Sequence, residues 1–318
     1  IARKLIPNNT KQALLAGASD SLLRHEKWNI GIVNEPISVF LRPDARPRIR
    51  WLPAPDQNTF LADPFAITKD QRLYIFCEEF DYRVEKGRIV YIEVADEGAV
   101  SKPKVVIDLP FHVSYPYLLE HQGAIYCIPE TSQAQEVSLY KAQEFPQRWE
   151  RISVLLDSIA ALDSTIFQYQ GHWWLTCSKK EAPDSLSVWH APDLFGPWRP
   201  HAADPVKRDI CSSRPAGTPF THNGSLYRPA QDCSRTYGGR VVLNRVVRLT
   251  PTEFEEQQWA IVEPVAHSEY PDGLHTLSAV GDITVLDAMC LTSLKGLLIK
   301  TRVLVHSSAR RTDPLISR

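Results

Sequence analysis

The stretch ADPFAITKDQRLYIFCEE (62–79) returns, with substitutions, four more times along the chain, and this return decides the fold. The copies are SYPYLLEHQGAIYCIPE (114–130), LDSTIFQYQGHWWLTCS (162–178), SRPAGTPFTHNGSLYRPAQD (213–232) and LHTLSAVGDITVLD (274–287). In the first three an aromatic residue, Tyr74, Tyr126 or Trp174, follows Pro64, Pro116 or Ser164 by ten residues. The fourth copy carries two extra residues before Tyr227. Each unit reads as strand, turn, strand, because short runs of Val, Ile, Tyr, Phe and Trp alternate with Gly, Pro, Asp and Asn. Such hairpins at a period of 48 to 61 residues fit propeller blades of four strands.

A second strand pair follows each hairpin, for example GRIVYIEV (87–94) with PKVVIDL (103–109). The fifth repeat runs short before the tail, whereas WNIGIVNEPISVFL (28–41) and RPRIRWLP (46–53) have no blade of their own. N-terminal strands are therefore expected to complete the last blade, which closes the ring and removes its free edges. The sequence thus predicts an all-β, five-bladed β-propeller over residues 28–290. It follows an N-terminal helical extension over residues 1–27 and precedes a tail over 291–318. The helix is read from Leu14, Leu15, Leu22 and Leu23 at helical spacing within Thr10–Glu26. A β-sandwich with insertions is the alternative architecture.

The whole-chain chemistry narrows the partners. The 318 residues carry a net charge of −1 with 43% hydrophobic and 23% charged side chains, so neither nucleic acid nor an anionic surface is an expected partner. No run of about 18 apolar residues predicts a membrane span. The six cysteines lack metal or redox spacing, and Cys77, Cys127 and Cys177 fall about 50 residues apart in apolar runs. That pattern predicts reduced, unpaired thiols and a cytoplasmic location. No motif for a metal or a cofactor is present, so none is expected. His112, His172, His190, His201 and His222 are scattered without ligand spacing and read as solvated. Because the chain begins with Ile, it reads as a piece of a longer polypeptide, with room for a fused or partner sugar-modifying enzyme.

In a propeller the innermost strand of every blade lines one channel, so the equivalent positions Asp63, Tyr115, Asp163, Arg214 and His275 are expected to converge. Packing favours small or apolar residues there, whereas this set is polar and ionisable; burying it is costly unless the groups are paired or used. Each residue also has a plainer reading. Asp63 before Pro64 can form a turn, Arg214 can neutralise both acids, His275 can be a satisfied core residue and Tyr115 can be packing. At the end of the second strand come Glu78 and Glu79, Glu130, Ser178 and Lys179, then Gln231 and Asp232. Alternation puts only one of Glu78 and Glu79 on a given face. Glu79 and Glu130, the latter beside Pro129, are the candidates to join Asp63 and Asp163 as catalytic acids. Tyr115, Arg214, Gln231, Asp232 and His275 are the candidates to bind substrate. Two carboxyl groups flanking a glycosidic bond are what sugar cleavage or transfer needs. Trp51, Trp173, Trp174, Trp189 and Trp198 offer faces for sugar stacking, although most are expected in blade cores.

These residues resemble two families. The ADPF opening, the axial Asp63, Asp163, Arg214 and His275, and FGPWRPH (195–201) are similar to the five-bladed glycoside hydrolases that include arabinanases, xylosidases and invertases. Together with SYPYLLE, IYCIPET, LDST, SRPAG and above all LYRPAQDC (226–233), they more closely resemble the N-terminal domain of plant glucosamine inositolphosphorylceramide transferases, over residues 28 to 290. The resemblance implies a propeller of hydrolase ancestry acting on glycoconjugates or surface polysaccharides, with Asp63 matching the general base and Asp163 the acid that tunes pKa. The hydrolases take their general acid, a glutamate, from the fourth blade. Here no Glu occurs between Glu181 and Glu253, which leaves Glu130 or Glu79 for that role. Two expectations stand side by side: a carbohydrate-active enzyme, or a catalytically silent module that presents a glycan to a partner enzyme.

Overall fold

The computed structural model describes residues 24–95 and 98–293, and these residues form five antiparallel sheets. Strands Arg24–Val33 (β1) and Arg50–Trp51 (β2) come first and are set aside for the last sheet. The first blade is Thr59–Lys69 (β3), Arg72–Asp81 (β4), Lys86–Val94 (β5) and Lys104–Ile107 (β6). The second is Ser114–His121 (β7), Ala124–Glu130 (β8), Glu136–Glu144 (β9) and Arg148–Asp157 (β10). The third runs Ala161–Tyr169 (β11), His172–Lys179 (β12), Ala182–Ala191 (β13) and Arg199–Pro200 (β14), with Lys207–Arg208 (β15) also pairing β13. The fourth is Phe220–His222 (β16), Ser225–Asp232 (β17), Arg240–Leu249 (β18) and Phe254–Val262 (β19). Leu277–Val280 (β20) and Ile283–Ser293 (β21) complete the set.

The fifth sheet has the order β2-β1-β21-β20, so N-terminal strands supply its two outer positions. This is the ring closure expected from the orphan strands at 28–41 and 46–53. The compact unit that carries the blades spans Trp28–Met289. Most of the helix expected over Thr10–Glu26 lies outside the described residues; its last part, from Arg24, is strand β1 instead. The tail expected over 291–318 likewise lies beyond the described residues, apart from the end of β21.

Blades cover one another on both faces, and the strand sequences follow from that. In β4 the run Leu73 to Glu78 is buried without a break, which explains why its apolar residues are consecutive and not alternating. Apolar cores lie between neighbouring blades: Tyr74, Phe76 and Tyr91 of the first pack with Cys127 and Tyr140 of the second. Cys77, Cys127 and Cys177 sit fully buried on β4, β8 and β12, and the described cysteines form no disulfide. No helix of the described residues is long and apolar enough to cross a membrane.

One irregularity repeats. The inner strands β3, β7 and β11 each slip register against the next strand, between Ala62 and Phe65, Ser114 and Tyr117, and Leu162 and Thr165. Within the slip, Asp63, Tyr115 and Asp163 adopt left-handed backbone, with φ of 54°, 45° and 53°. Such bulges re-aim one side chain and release one N–H from the ladder. Holding a residue with a Cβ there costs about 1–2 kcal/mol each, so the surroundings must fix it. They do so with carboxylates.

Candidate active site

Two side-chain rings surround the channel. The inner strands and the segments entering them give Asp63, Tyr115, Asp163, Arg214 and His275. The second strands give Glu78, Glu130, Ser178, Gln231 and Asp287, one per blade, because Ala62 pairs Glu78, Ser114 pairs Glu130 and Leu162 pairs Ser178. The N–H of Gln231 meets the Arg214 carbonyl at 2.8 Å, and that of Asp287 meets the Thr276 carbonyl at 3.3 Å, which continues the series.

The released N–H groups are captured across blade boundaries. Asp287 Oδ2 accepts the Asp63 N–H at 2.9 Å, Asp63 Oδ2 accepts the Tyr115 N–H at 3.2 Å, and Glu130 Oε2 accepts the Asp163 N–H at 3.1 Å. Asp287 Oδ1 also takes the N–H groups of His275 and Thr276 at 3.0 and 2.9 Å. Asp163 Oδ2 accepts from Arg214 Nε at 2.5 Å and from Gln231 Nε2 at 2.9 Å. Tyr115 fills the channel below: its hydroxyl accepts the Gly217 N–H at 2.7 Å and lies 3.0 Å from Thr165 Oγ1.

Charges are matched around His275. Its Nδ1 lies 2.7 Å from Asp287 Oδ2 and its Nε2 3.6 Å from Asp63 Oδ1, with the ring stacked on Trp28 at 4.2 Å. Burial pulls its pKa down, but Asp287 and Asp63 overcome that and hold it at about 9. Burial pushes Asp63 up to about 6, opposed by His275. Glu130 rises to about 8, through burial first and then the nearby Asp163, with Arg214 opposing. Near neutral pH the cluster therefore holds a protonated Glu130, an ionised Asp63 and a cationic His275. Asp63, His275 and Asp287 place three ligand atoms within 4.8 Å of one another, a spacing that also suits a metal ion.

At the mouth, Arg214 is 17% exposed on its side chain, and Tyr237 lies across it, 5.3 Å from the guanidinium and 5.5 Å from the His275 ring. Tyr237 is the open edge of the cluster, 46% exposed.

The structure brings Asp63, Tyr115, Asp163, Arg214, His275, Glu130 and Gln231 together as the repeats implied. It separates two others. Asp232, one residue past Gln231, turns to the opposite face, where it accepts from Arg240 Nε at 2.8 Å and from the Ser234 N–H at 2.9 Å. It lines a rim cavity of about 240 Å³. Glu79 faces away as well, salt-bridged to Arg88 at 2.7 Å in a cleft with Leu52 and Leu61. Glu78, not Glu79, occupies the axial side: it is buried, and burial together with Asp63 and Glu130 pushes its pKa well up.

Asp287 and the placement of Glu78 were missed by sequence reasoning. Both stand at the ring position that marks Glu130, so extending the self-match to the second strand of every copy would have found them. His112 and His201 are also not solvated as expected: His112 is half-buried and takes the Gly87 N–H at 3.0 Å, and His201 is buried. Trp173, Trp174 and Trp189 are buried, while Trp51 and Trp198 are partly buried against the cores, so none is an open stacking face at the axis.

With this geometry in place, the comparisons gain meaning. Residues 53–270 match the family described as glucosamine inositolphosphorylceramide transferase 1, N-terminal. The chain belongs to this family. It is 35% identical over 207 residues to the glucosamine inositolphosphorylceramide transferase 1 of Oryza sativa subsp. japonica, a match covering 63% of this chain and 28% of that protein. The Arabidopsis thaliana protein of the same name is 33% identical over 210 residues, covering 63% of this chain and 27% of that protein. The chain thus spans less than a third of the curated relatives it matches. Among solved structures, a β-xylosidase superposes with TM-score 0.53 at 10% identity, covering 66% of this chain and 80% of that one. A family 117 glycoside hydrolase of Zobellia galactanivorans gives 0.51 at 16% identity, covering 74% and 85%. At such identities these matches establish the fold that the family shares with glycoside hydrolases.

Proposed function

We propose that this family domain handles a sugar at its axial cluster and acts in glycosyl transfer or glycoside cleavage. The observation that carries the reading is the split between two carboxyl groups of one cluster. Glu130, at about 8, holds a proton at neutral pH, while Asp63, at about 6, has largely released its own. A proton donor and a carboxylate in one axial cluster are the pair that chemistry at a glycosidic centre needs. Glu130 is then the acid, Asp63 the base or charge stabiliser, and Asp163, clamped by Arg214 and Gln231, the group that tunes Glu130. The name of the plant relatives couples glucosamine with inositolphosphorylceramide, which makes amino sugars and inositol-bearing glycoconjugates the ligands to try first. The buried thiols of Cys77, Cys127 and Cys177, none in a disulfide, fit a cytoplasmic location.

A second reading draws on a specific observation: the axial carboxylates accept bonds that fix the bulges, and the fourth blade carries Arg214 where an acid would serve hydrolysis. On that reading the domain only binds a glycan for a fused or partner enzyme.

The discriminating experiment is Glu130→Gln, whose single amide oxygen can still accept the Asp163 N–H while its NH2 donates to Ser132 Oγ, but which carries no transferable proton. Turnover of glucosaminyl donors, measured beside sugar affinity, should fall about 10²–10⁴-fold with affinity retained. Unchanged turnover in the variant would remove Glu130 from the chemistry. Binding with no turnover in the wild type would select the binding-only reading.

A further inference from the structure

Phe60 and Phe80 face each other across β3 and β4 with parallel rings, 5.0 Å apart and 9° between planes. Tyr82 meets both edge-on, at 5.6 and 5.2 Å, and His112 closes the corner 6.0 Å from Phe80. All four are half-buried, and neither Phe60 nor Phe80 belongs to the apolar cores between blades. The pair is half-buried and joins none of the apolar cores, which leaves part of its ring surface open beside the axial rings.

The position gives the corner its meaning. Alternation puts Phe80 on the same face as Glu78 and Phe60 on the same face as Ala62, the residue before the Asp63 bulge. The aromatic corner therefore runs directly outward from the axial rings. Its inner end is polar. His112 Nδ1 accepts the Gly87 N–H at 3.0 Å, which leaves Nε2 as the protonated nitrogen, 3.6 Å from Glu78 Oε1. That distance exceeds a hydrogen bond, and the buried Glu78 oxygen has no hydrogen-bond partner among the described residues. The His112 Nε2–H thus stands at the end of an apolar platform with its bond unmade, over the buried Glu78 carboxyl. A pyranose ring offers the complement: an apolar C–H face for the rings and hydroxyls for the polar end.

We propose that Phe60, Phe80, Tyr82 and His112 form a second sugar subsite that stacks the pyranose next to the unit held at the axial cluster, so that the domain recognises at least a disaccharide. This rests on the axial cluster being a sugar site.

The test uses matched monosaccharide and disaccharide pairs built on glucosamine, N-acetylglucosamine, mannose and xylose, titrated calorimetrically into the full chain. For the pair that binds, wild type should hold the disaccharide about three- to tenfold more tightly than the monosaccharide. Phe60→Ala and Phe80→Ala should each erase that ratio while leaving monosaccharide affinity unchanged, and Phe80→Tyr, which keeps an aromatic face, should preserve it. Thermal unfolding of each variant guards against misfolding, and Phe80→Tyr keeps the test open if an alanine variant fails to fold. A ratio that survives both alanine changes, or one absent from wild type, overturns the subsite while sparing the axial reading. Binding of no sugar to folded wild type overturns both.

Discussion

Glu130 Oε2 accepts the backbone N–H of Asp163 at 3.1 Å, so a carboxyl on the second strand of one blade fixes the bulge on the first strand of the next. The same relation joins Asp287 to Asp63. The proposed chemistry and the joining of blades therefore rest on one set of atoms, and a substitution at these positions acts on both unless its shape preserves the acceptor.

That sharing predicts a difference between two substitutions of Glu130. Glu130→Ala removes the acceptor for the Asp163 N–H and for Ser132 Oγ, which lies 3.0 Å from Oε1. Leaving buried donors unmatched costs about 1–3 kcal/mol. Glu130→Gln retains one acceptor for the Asp163 N–H and a donor that the Ser132 hydroxyl can accept from, and should unfold within about 1 kcal/mol of wild type. Urea denaturation of the two variants checks this, and equal losses would mean that Glu130 stabilises through something other than these bonds.

The buried ion pair of Arg228 with Glu256 gives a second stability prediction. Both side chains are 2% exposed, with Nη2 and Oε1 2.6 Å apart, and Lys207 adds a further contact to Glu256 at 2.9 Å. Glu256→Ala leaves Arg228 charged and buried and should cost about 3–5 kcal/mol. Chemical denaturation would read this directly; a loss below about 1 kcal/mol would show that water reaches the arginine.

Stability should also fall as pH rises. The pKa values of Asp63, Glu130 and His275 lie above their ordinary values of 3.8, 4.5 and 6.5, at about 6, 8 and 9. The folded state therefore binds more protons than the unfolded state between about pH 4 and pH 9. His275 contributes its stabilisation in full below pH 6.5 and loses it as pH passes through 9. The two carboxyl groups increasingly oppose folding as pH rises towards their folded values. The urea midpoint should be higher at pH 5.5 than at pH 8.5, and Glu130→Gln should flatten that slope. A midpoint that rises over the same interval would contradict the burial of these protons.

Much of this was legible in the sequence, and the residues that were not share a cause. Each blade repeats the same inner hairpin, so the self-match at Asp63, Tyr115, Asp163, Arg214 and His275 reports a position along one axis, and the orphan strands at 28–53 required the closure that β1 and β2 provide. Alternation held at Glu78 and Glu79, which lie on opposite faces of β4, but it does not tell which of them meets the axis; the pairing of Glu78 with Ala62, beside the Asp63 bulge, does. Asp287 escaped because the fifth copy is short and its second strand was not laid against Glu130. The corner at Phe60, Phe80 and His112 joins two strands and an interblade loop, and no local pattern records that meeting.

The last prediction concerns Asp63, where structure and chemistry are hardest to separate. Its Oδ1 accepts the Thr276 hydroxyl at 2.9 Å and faces His275, and its Oδ2 accepts the Tyr115 N–H. Asn at this position can still accept the Tyr115 N–H through its one oxygen while its NH2 donates to the Thr276 hydroxyl, so the left-handed turn at 63 should persist. It cannot balance the imidazolium, and the pKa of His275 should therefore drop from about 9 towards its ordinary value of 6.5. Two readouts then separate the roles. Titration of His275 by NMR should show the drop whether or not the domain is an enzyme, since it follows from charge alone. Turnover should fall about 10²–10⁴-fold if Asp63 acts as base or charge stabiliser. A variant with the His275 shift and unchanged turnover would confine Asp63 to holding the ring together, and a variant with neither effect would show that Asp63 does not interact with His275 as the geometry requires.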